Sequence, residues 1–159
     1  VTPVSRLGLF LGKLIPYAVV GIFEAGTVLF LMRFLFTVPI AGSVTLLFSG
    51  CLLFLMTALS LGLIISTFTD NQIQALQFAM LVILPSVLLS GFIFPQDNMP
   101  LPIYALGQVV PATYFIRILR GVVLRDAHFM DLWPNMAVLA AVGIGLLLIA
   151  SMRFKKTVR

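Results

Sequence analysis

FLFTVPIAGSVTLLFSGCLLFLMTALSLGLIISTFT, residues 34–69, runs without a single Asp, Glu, Lys, Arg or His. A helix that crosses a bilayer needs about 20 predominantly apolar residues, so this interval is too long for one span. Pro39 and Gly42 near its start have the chemistry of a tight turn and divide it between two helices. Outward from there, Glu24 is the only charge in 14–32, and neither 71–96 nor 132–152 carries any. The chain therefore reads as an all-α, polytopic membrane helical bundle with four transmembrane helices, expected at 14–36, 43–66, 75–94 and 133–152.

The composition agrees with that pattern. Of 159 residues, 61% are hydrophobic and 9% charged, where a soluble domain carries roughly 25% charged residues. The mean hydropathy of +1.17 belongs to the whole chain, so a single anchor on a soluble body does not account for it. A net charge of +5 is spread along the sequence apart from Arg153, Lys155, Lys156 and Arg159, which argues against a basic face for nucleic acid. Cys51 is the only cysteine and excludes an intrachain disulfide; in its apolar setting it reads as packing. The chain begins at Val1 with no targeting segment, and is expected to be a fragment or a processed form.

Orientation follows from the basic residues, which are retained on the cytoplasmic side. Arg6 and Lys13 precede the first span and four basic residues follow the last. Four spans bring the chain back to its starting side, so both ends are expected in the cytoplasm. The connection 95–132 then lies outside, although it carries Arg117, Arg120 and Arg125. Something specific must hold those cations there. Within it, 101–124 is too apolar for a free loop and is interrupted by Pro111 and Gly121, which suggests two short re-entrant or interfacial helices. Phe115, Ile118, Leu119 and Val122 recur at helical spacing, with Arg117 and Arg120 on another face. Residues 2–13 suit a helix lying on the cytoplasmic surface, with Arg6 and Lys13 reaching towards headgroups.

Few residues offer chemistry. There is no phosphate-binding Gly-rich loop with its Lys, no His-Glu-x-x-His and no nucleophile elbow, so ATP hydrolysis within this chain is not expected and it does not read as an enzyme. Asp126, His128 and Asp131 have the donor types of a weak metal site, but an ordinary solvated loop explains them, and no metal is expected. Glu24, an acid inside a span, costs roughly 2.5–3.5 kcal/mol to insert and should face protein or water. It reads as a structural acid or as a proton- or substrate-contact site. Arg33, nine residues on, lies about 180° around the helix and is no partner for it. Small residues recur at Ala58, Gly62 and Ser66 and at Ala137, Ala141 and Gly145, stripes that let helices approach closely. Pro85 is expected to kink the third span.

Residues 89–126, LSGFIFPQDNMPLPIYALGQVVPATYFIRILRGVVLRD, resemble the C-terminal signature of ABC-2 type transporter permeases, the membrane subunits of one class of ATP-binding-cassette exporters. The matching positions are Gly91, Pro95, Met99, Pro100, Pro111, Tyr114, Arg120 and Gly121. TPVSRLGLFLGKLIPY, residues 2–17, looks like that family's cytoplasmic segment after its second span, and RFKK at 153–156 resembles its usual tail. The likeness is strongest to multidrug-type exporter permeases of bacterial inner (cytoplasmic) membranes. Family members normally have six spans, so this chain is expected to hold the last four as a single permease domain.

The resemblance implies a division of labour. A separate cytoplasmic ATPase subunit would hold ATP and Mg, with no cofactor in this chain. The segment 1–13 would contain the coupling helix, with Thr2, Pro3, Ser5, Arg6 and Lys13 contacting that subunit. The segment 95–132, with Gly91 before it, would form an outer re-entrant cap that includes Arg117. Two permease copies, as a homodimer or a heterodimer, would make the pathway in the lipid bilayer, with a periplasmic adaptor as a further candidate partner. Amphiphilic small molecules, drug-like or lipid-like, would be exported. The reading from a different class is an ion-coupled secondary transporter or channel using Glu24.

Overall fold

The structure is a computed structural model that describes residues 6–153; the side chains at 6–11, 13, 97 and 153 lie outside the described set. The expected contacts of Thr2, Pro3 and Ser5 with an ATPase, and those of the Arg6 and Lys13 side chains, fall outside it as well.

Six α-helices and no strand are present among the described residues: α1 Arg6–Phe34, α2 Val44–Phe68, α3 Gln72–Leu89, α4 Leu101–Val109, α5 Pro111–Arg125 and α6 Phe129–Arg153. A short 3-10 turn, Gln96–Asn98, precedes α4. Four helices are long and apolar enough to cross a membrane, over Leu14–Phe34, Val44–Phe68, Gln72–Leu89 and Phe129–Met152. The expected all-α bundle of four long helices with short ones between them is what the chain forms. One local reading changes. α1 runs unbroken from Arg6 into the span, so no separate surface helix precedes residue 14 among the described residues. Pro16 lacks an N–H and removes one bond of the ladder, yet the helix carries it.

Local chemistry sets the helix starts. Ser43 caps α2, its Oγ accepting from the Leu46 N–H at 3.4 Å. At α3 the caps are reciprocal: Asn71 Oδ1 accepts from the Gln74 N–H at 2.8 Å, and Gln74 Oε1 accepts from the Asp70 N–H at 2.9 Å. Pro111 opens α5, where a missing N–H costs nothing. Asp126, in the left-handed region at φ 49°, closes α5, and its N–H donates to the Gly121 carbonyl.

α2 is the centre of the bundle, packing along α6 and also touching α1 and α5. Leu47, Ile118, Val122 and Leu139 are fully buried, joined by Leu29, Val123 and Leu132. α5 is therefore part of the core, with Phe115 stacked on Phe54 at a centroid separation of 4.7 Å. α1 and α3 show the opposite pattern: α3 has no buried residue and α1 turns apolar side chains such as Phe23 and Phe30 outward. Such faces need lipid or another chain against them.

The α2–α6 seam uses a different small residue from those of the sequence stripes. A Cβ at Gly143 would lie 2.7 Å from Thr57 Oγ1. That hydroxyl, fully buried, donates to the Leu53 carbonyl at 2.9 Å and lies 3.4 Å from the Leu139 carbonyl. Ala58, Gly62, Ser66, Ala137 and Ala141 are exposed in the single chain, and nothing lies within 4 Å of a Cβ at Gly145. Gly143→Ala is expected to destabilise the bundle by about 1–2 kcal/mol, while Gly145→Ala is close to neutral. Thermal unfolding of the two variants in detergent compares them, and equal melting temperatures would remove Gly143 from the seam.

Candidate functional site: the α4–α5 hairpin and its polar cavity

The segment from α3 to α6 is held at one end of the bundle by polar groups. α3 stops at Leu89, and Gly91 at φ 87° reverses the chain in a conformation that side chains with a Cβ rarely adopt. This exposes backbone carbonyls, and α5 supplies their donor. Arg120 Nη2 donates to the Gly91 carbonyl at 2.6 Å and lies 3.4 Å from that of Phe92. Gln96 Nε2 donates to the Leu89 carbonyl at 3.3 Å.

Arg117, one turn before Arg120, closes the second half. Its Nη2 donates to Gln96 Oε1 at 2.7 Å and to Gln108 Oε1 at 3.0 Å. The guanidinium carbon sits 5.6 Å from the centre of the Tyr114 ring, within cation–π range. Tyr114 OH donates to the Gln108 carbonyl at 2.9 Å, and the buried Thr113 hydroxyl donates to the Gly107 carbonyl at 2.6 Å. Gly107 is itself pressed against α3: a Cβ there would lie 2.8 Å from the Leu89 carbonyl oxygen. Arg117, Gln96, Gln108, Arg120 and Gly91 thus tie together α3, the 3-10 turn, α4 and α5.

The loop after α1 meets the same end. Gly42 N–H donates to the Val122 carbonyl at 2.9 Å and Ala41 N–H to that of Val123 at 3.4 Å. A Cβ on Gly42 would fall 2.9 Å from the Val122 carbonyl oxygen, so this approach requires glycine.

Among the predicted cap residues, Gly91, Tyr114, Arg117 and Arg120 lie in the polar network. Pro95 precedes the 3-10 turn and Met99 follows it, Pro100 caps α4, and Pro111 begins α5. Gly121 is buried against Leu132 of α6, whose Cδ2 lies 2.7 Å from a Cβ built there. Sequence reasoning missed Gln96, Gly107, Gln108 and Thr113. The available signal was the two amide side chains within an apolar stretch, where a polar group is costly without a partner. Glu24 is exposed on α1 and makes none of the hydrogen bonds of this network. Asp131 accepts from the His128 backbone N–H at 3.2 Å, and among the described residues no three His, Cys, Asp or Glu side chains cluster as metal ligands.

Two cavities flank the hairpin. One, about 610 Å³, is lined by Arg117, Arg120 and Arg125 of α5, by Asp126 and Asp131, and by Asn135 of α6. The other, about 480 Å³, is an apolar groove between α2, α3 and α5 that includes Ala58 and Gly62.

Residues 1–124 match the ABC-2 type transporter family. The chain is 42% identical over 124 residues to the probable multidrug ABC transporter permease YbhS of Escherichia coli K12, covering 77% of this chain and 33% of that protein. It is 30% identical over 147 residues to the probable multidrug ABC transporter permease YbhR of the same organism, covering 90% and 40%. To its inner membrane transport permease YhhJ it is 30% identical over 159 residues, covering 99% and 42%. The chain thus spans between a third and about two fifths of the length of these relatives. No solved structure matches it.

Proposed function

Because the chain belongs to the ABC-2 type transporter family, we propose that it forms the four-span portion of a permease subunit in an ATP-driven exporter. The observation that carries this reading is the polar lock at one end of the bundle, where Arg120 ties α5 to the carbonyl just past α3 and Arg117 ties it to the 3-10 turn and to α4. A short helical hairpin held this way inside a membrane bundle suits a cap that opens and closes as a unit.

In this proposal residues 1–13 dock on a separate cytoplasmic ATPase, both ends of the chain are cytoplasmic, and 95–132 faces outward. The domain limits at 14–36, 43–66, 75–94 and 133–152 and the roles of Thr2, Pro3, Ser5, Arg6 and Lys13 belong to it. ATP with Mg acts on that partner subunit. A second permease copy completes the pathway, and a periplasmic adaptor extends it. The names of two relatives, probable multidrug ABC transporter permeases, support amphiphilic small molecules as cargo, and that of a third, an inner membrane transport permease, supports the inner membrane as its place.

The geometry offers a route for the stroke. α1 is a continuous helix of 29 residues, roughly 44 Å long. It packs on α2, and the loop beyond it bonds to the last turns of α5. A push on the cytoplasmic end of α1 is then delivered to the cap through packed helices and two backbone hydrogen bonds. The ion-coupled alternative needs Glu24 at a wet internal position. Its side chain is exposed on α1 and lines neither cavity.

Purification in mild detergent tests the proposal. A P-loop ATPase is expected to copurify, and Arg6→Glu, a charge reversal in the coupling segment, is expected to lower its recovery at least about fivefold. Reproducible absence of the ATPase while transport persists would sink the exporter reading.

A further inference from the structure

We propose that the polar cavity beside α5 is a binding site for the phosphodiester headgroup of an anionic phospholipid. Arg117, Arg120 and Arg125 all line it, and their roles differ. The first two are half-buried, and their hydrogen bonds to the described residues all run through Nη2. A guanidinium carries five N–H donors, so Nε and Nη1 of each are left over. Among the described residues no buried side-chain nitrogen or oxygen lacks a partner, which means that these spare donors are accessible, and the space beside them is the cavity. Arg125, in the last turn of α5, is exposed and has no side-chain partner among the described residues.

The charge balance selects the ligand. Asp126 and Asp131 share the cavity. Asp131 accepts from the His128 N–H, and no described carboxylate forms a salt bridge with the three arginines. Among the described residues that line it, three cations against two anions leave an excess of one positive charge, which matches a phosphodiester bearing no cation of its own. Forked Arg donors suit phosphate oxygens particularly well. Basic pockets between transmembrane helices are also where lipid headgroups are held.

Position argues for a lipid over a free ion. The cavity lies where α3 ends and α6 begins, lined there by Ser90, Gly91, Leu132 and Asn135, and the exposed Leu124, Phe129, Met130 and Trp133 flank its lining residues 125–132 along the chain. An exposed Trp at a helix end marks headgroup level, and the neighbouring apolar side chains offer a surface for the glycerol and acyl chains. The two stapled arginines are already accounted for by the hairpin. Arg125 is not, and a lipid phosphate gives it a partner. The inference rests on this end of the bundle lying at a membrane surface and does not depend on the transported cargo.

Native mass spectrometry of the delipidated protein in detergent, titrated with phosphatidylglycerol or phosphatidylcholine, tests it. Phosphatidylglycerol is expected to bind about tenfold more tightly than phosphatidylcholine, and Arg125→Gln to remove most of that advantage. Arg33→Gln, which deletes an exposed cation at the same end of the bundle but outside the cavity, is expected to keep it. Equal binding of the two lipids would overturn the proposal, as would an unchanged Arg125→Gln variant or an equal loss in Arg33→Gln. Displacement of phosphatidylglycerol by millimolar inorganic phosphate would assign the cavity to a free anion and overturn the lipid.

Discussion

Gly107→Val is expected to cost the bundle about 2–4 kcal/mol and to release the hairpin from α3. Any Cβ at this position sits 2.8 Å from the Leu89 carbonyl oxygen, a backbone atom at the end of a helix that cannot rotate away as a side chain would. Moving α4 off α3 also disturbs the bonds that the Gly107 carbonyl receives from the Thr113 hydroxyl and the Val110 N–H. Branching at Cβ adds two methyl groups to the clash, so valine should be worse than alanine. Thermal unfolding in detergent is the measurement. A melting temperature for Gly107→Val indistinguishable from that of the parent protein would mean that α4 does not depend on this contact.

The Arg117→Leu/Arg120→Leu double variant is expected to unlock the hairpin while leaving the four long helices in place. Hydrogen bonds from a charged donor contribute roughly 1.5–3 kcal/mol each where they are shielded. Here both arginines are half-buried, and water can replace part of what is lost. A combined cost of about 3 kcal/mol follows, which corresponds to roughly a hundredfold in the opening equilibrium. Amide hydrogen exchange over 89–125 should accelerate by that order, with α2 and the paired part of α6 unchanged. In the exporter reading the cap would then leak or uncouple. Unaltered exchange together with unaltered transport would show that the arginines are not the staple.

These two variants act on one structure from opposite sides, the first by crowding and the second by removing polar bonds. Agreement between them would identify the hairpin as a unit with its own stability, which is what a moving cap requires.

Much of this molecule is legible along the chain because hydropathy in a membrane protein is a local property. The solvent sees each 20-residue window independently, so the charge-free intervals around 34–69, 71–96 and 132–152 identify long helices without any knowledge of their neighbours. The helical spacing of Phe115, Ile118, Leu119 and Val122 likewise announced one face of α5, and Ile118 and Val122 are indeed fully buried. The ordered prolines and glycines of 89–126 pointed to a family, and the family match covers residues 1–124.

What the chain alone could not express was pairing. That α1 continues from Arg6 without a break depends on how the whole helix is supported, not on the polarity of its first turns. That Arg117 reaches Gln96 and Gln108, and Arg120 the Gly91 carbonyl, depends on bringing together residues separated by 9–29 positions. Arginine is charged and costly in a membrane wherever it stands; which acceptor satisfies it is settled when the helices meet. The sequence by itself determined that the chain inserts as long helices joined by a short apolar segment, because insertion responds to local polarity. Only the tertiary structure decided which cations are bonded in the hairpin and which face an open cavity, because hydrogen bonds act over about 3 Å and their partners lie on different helices.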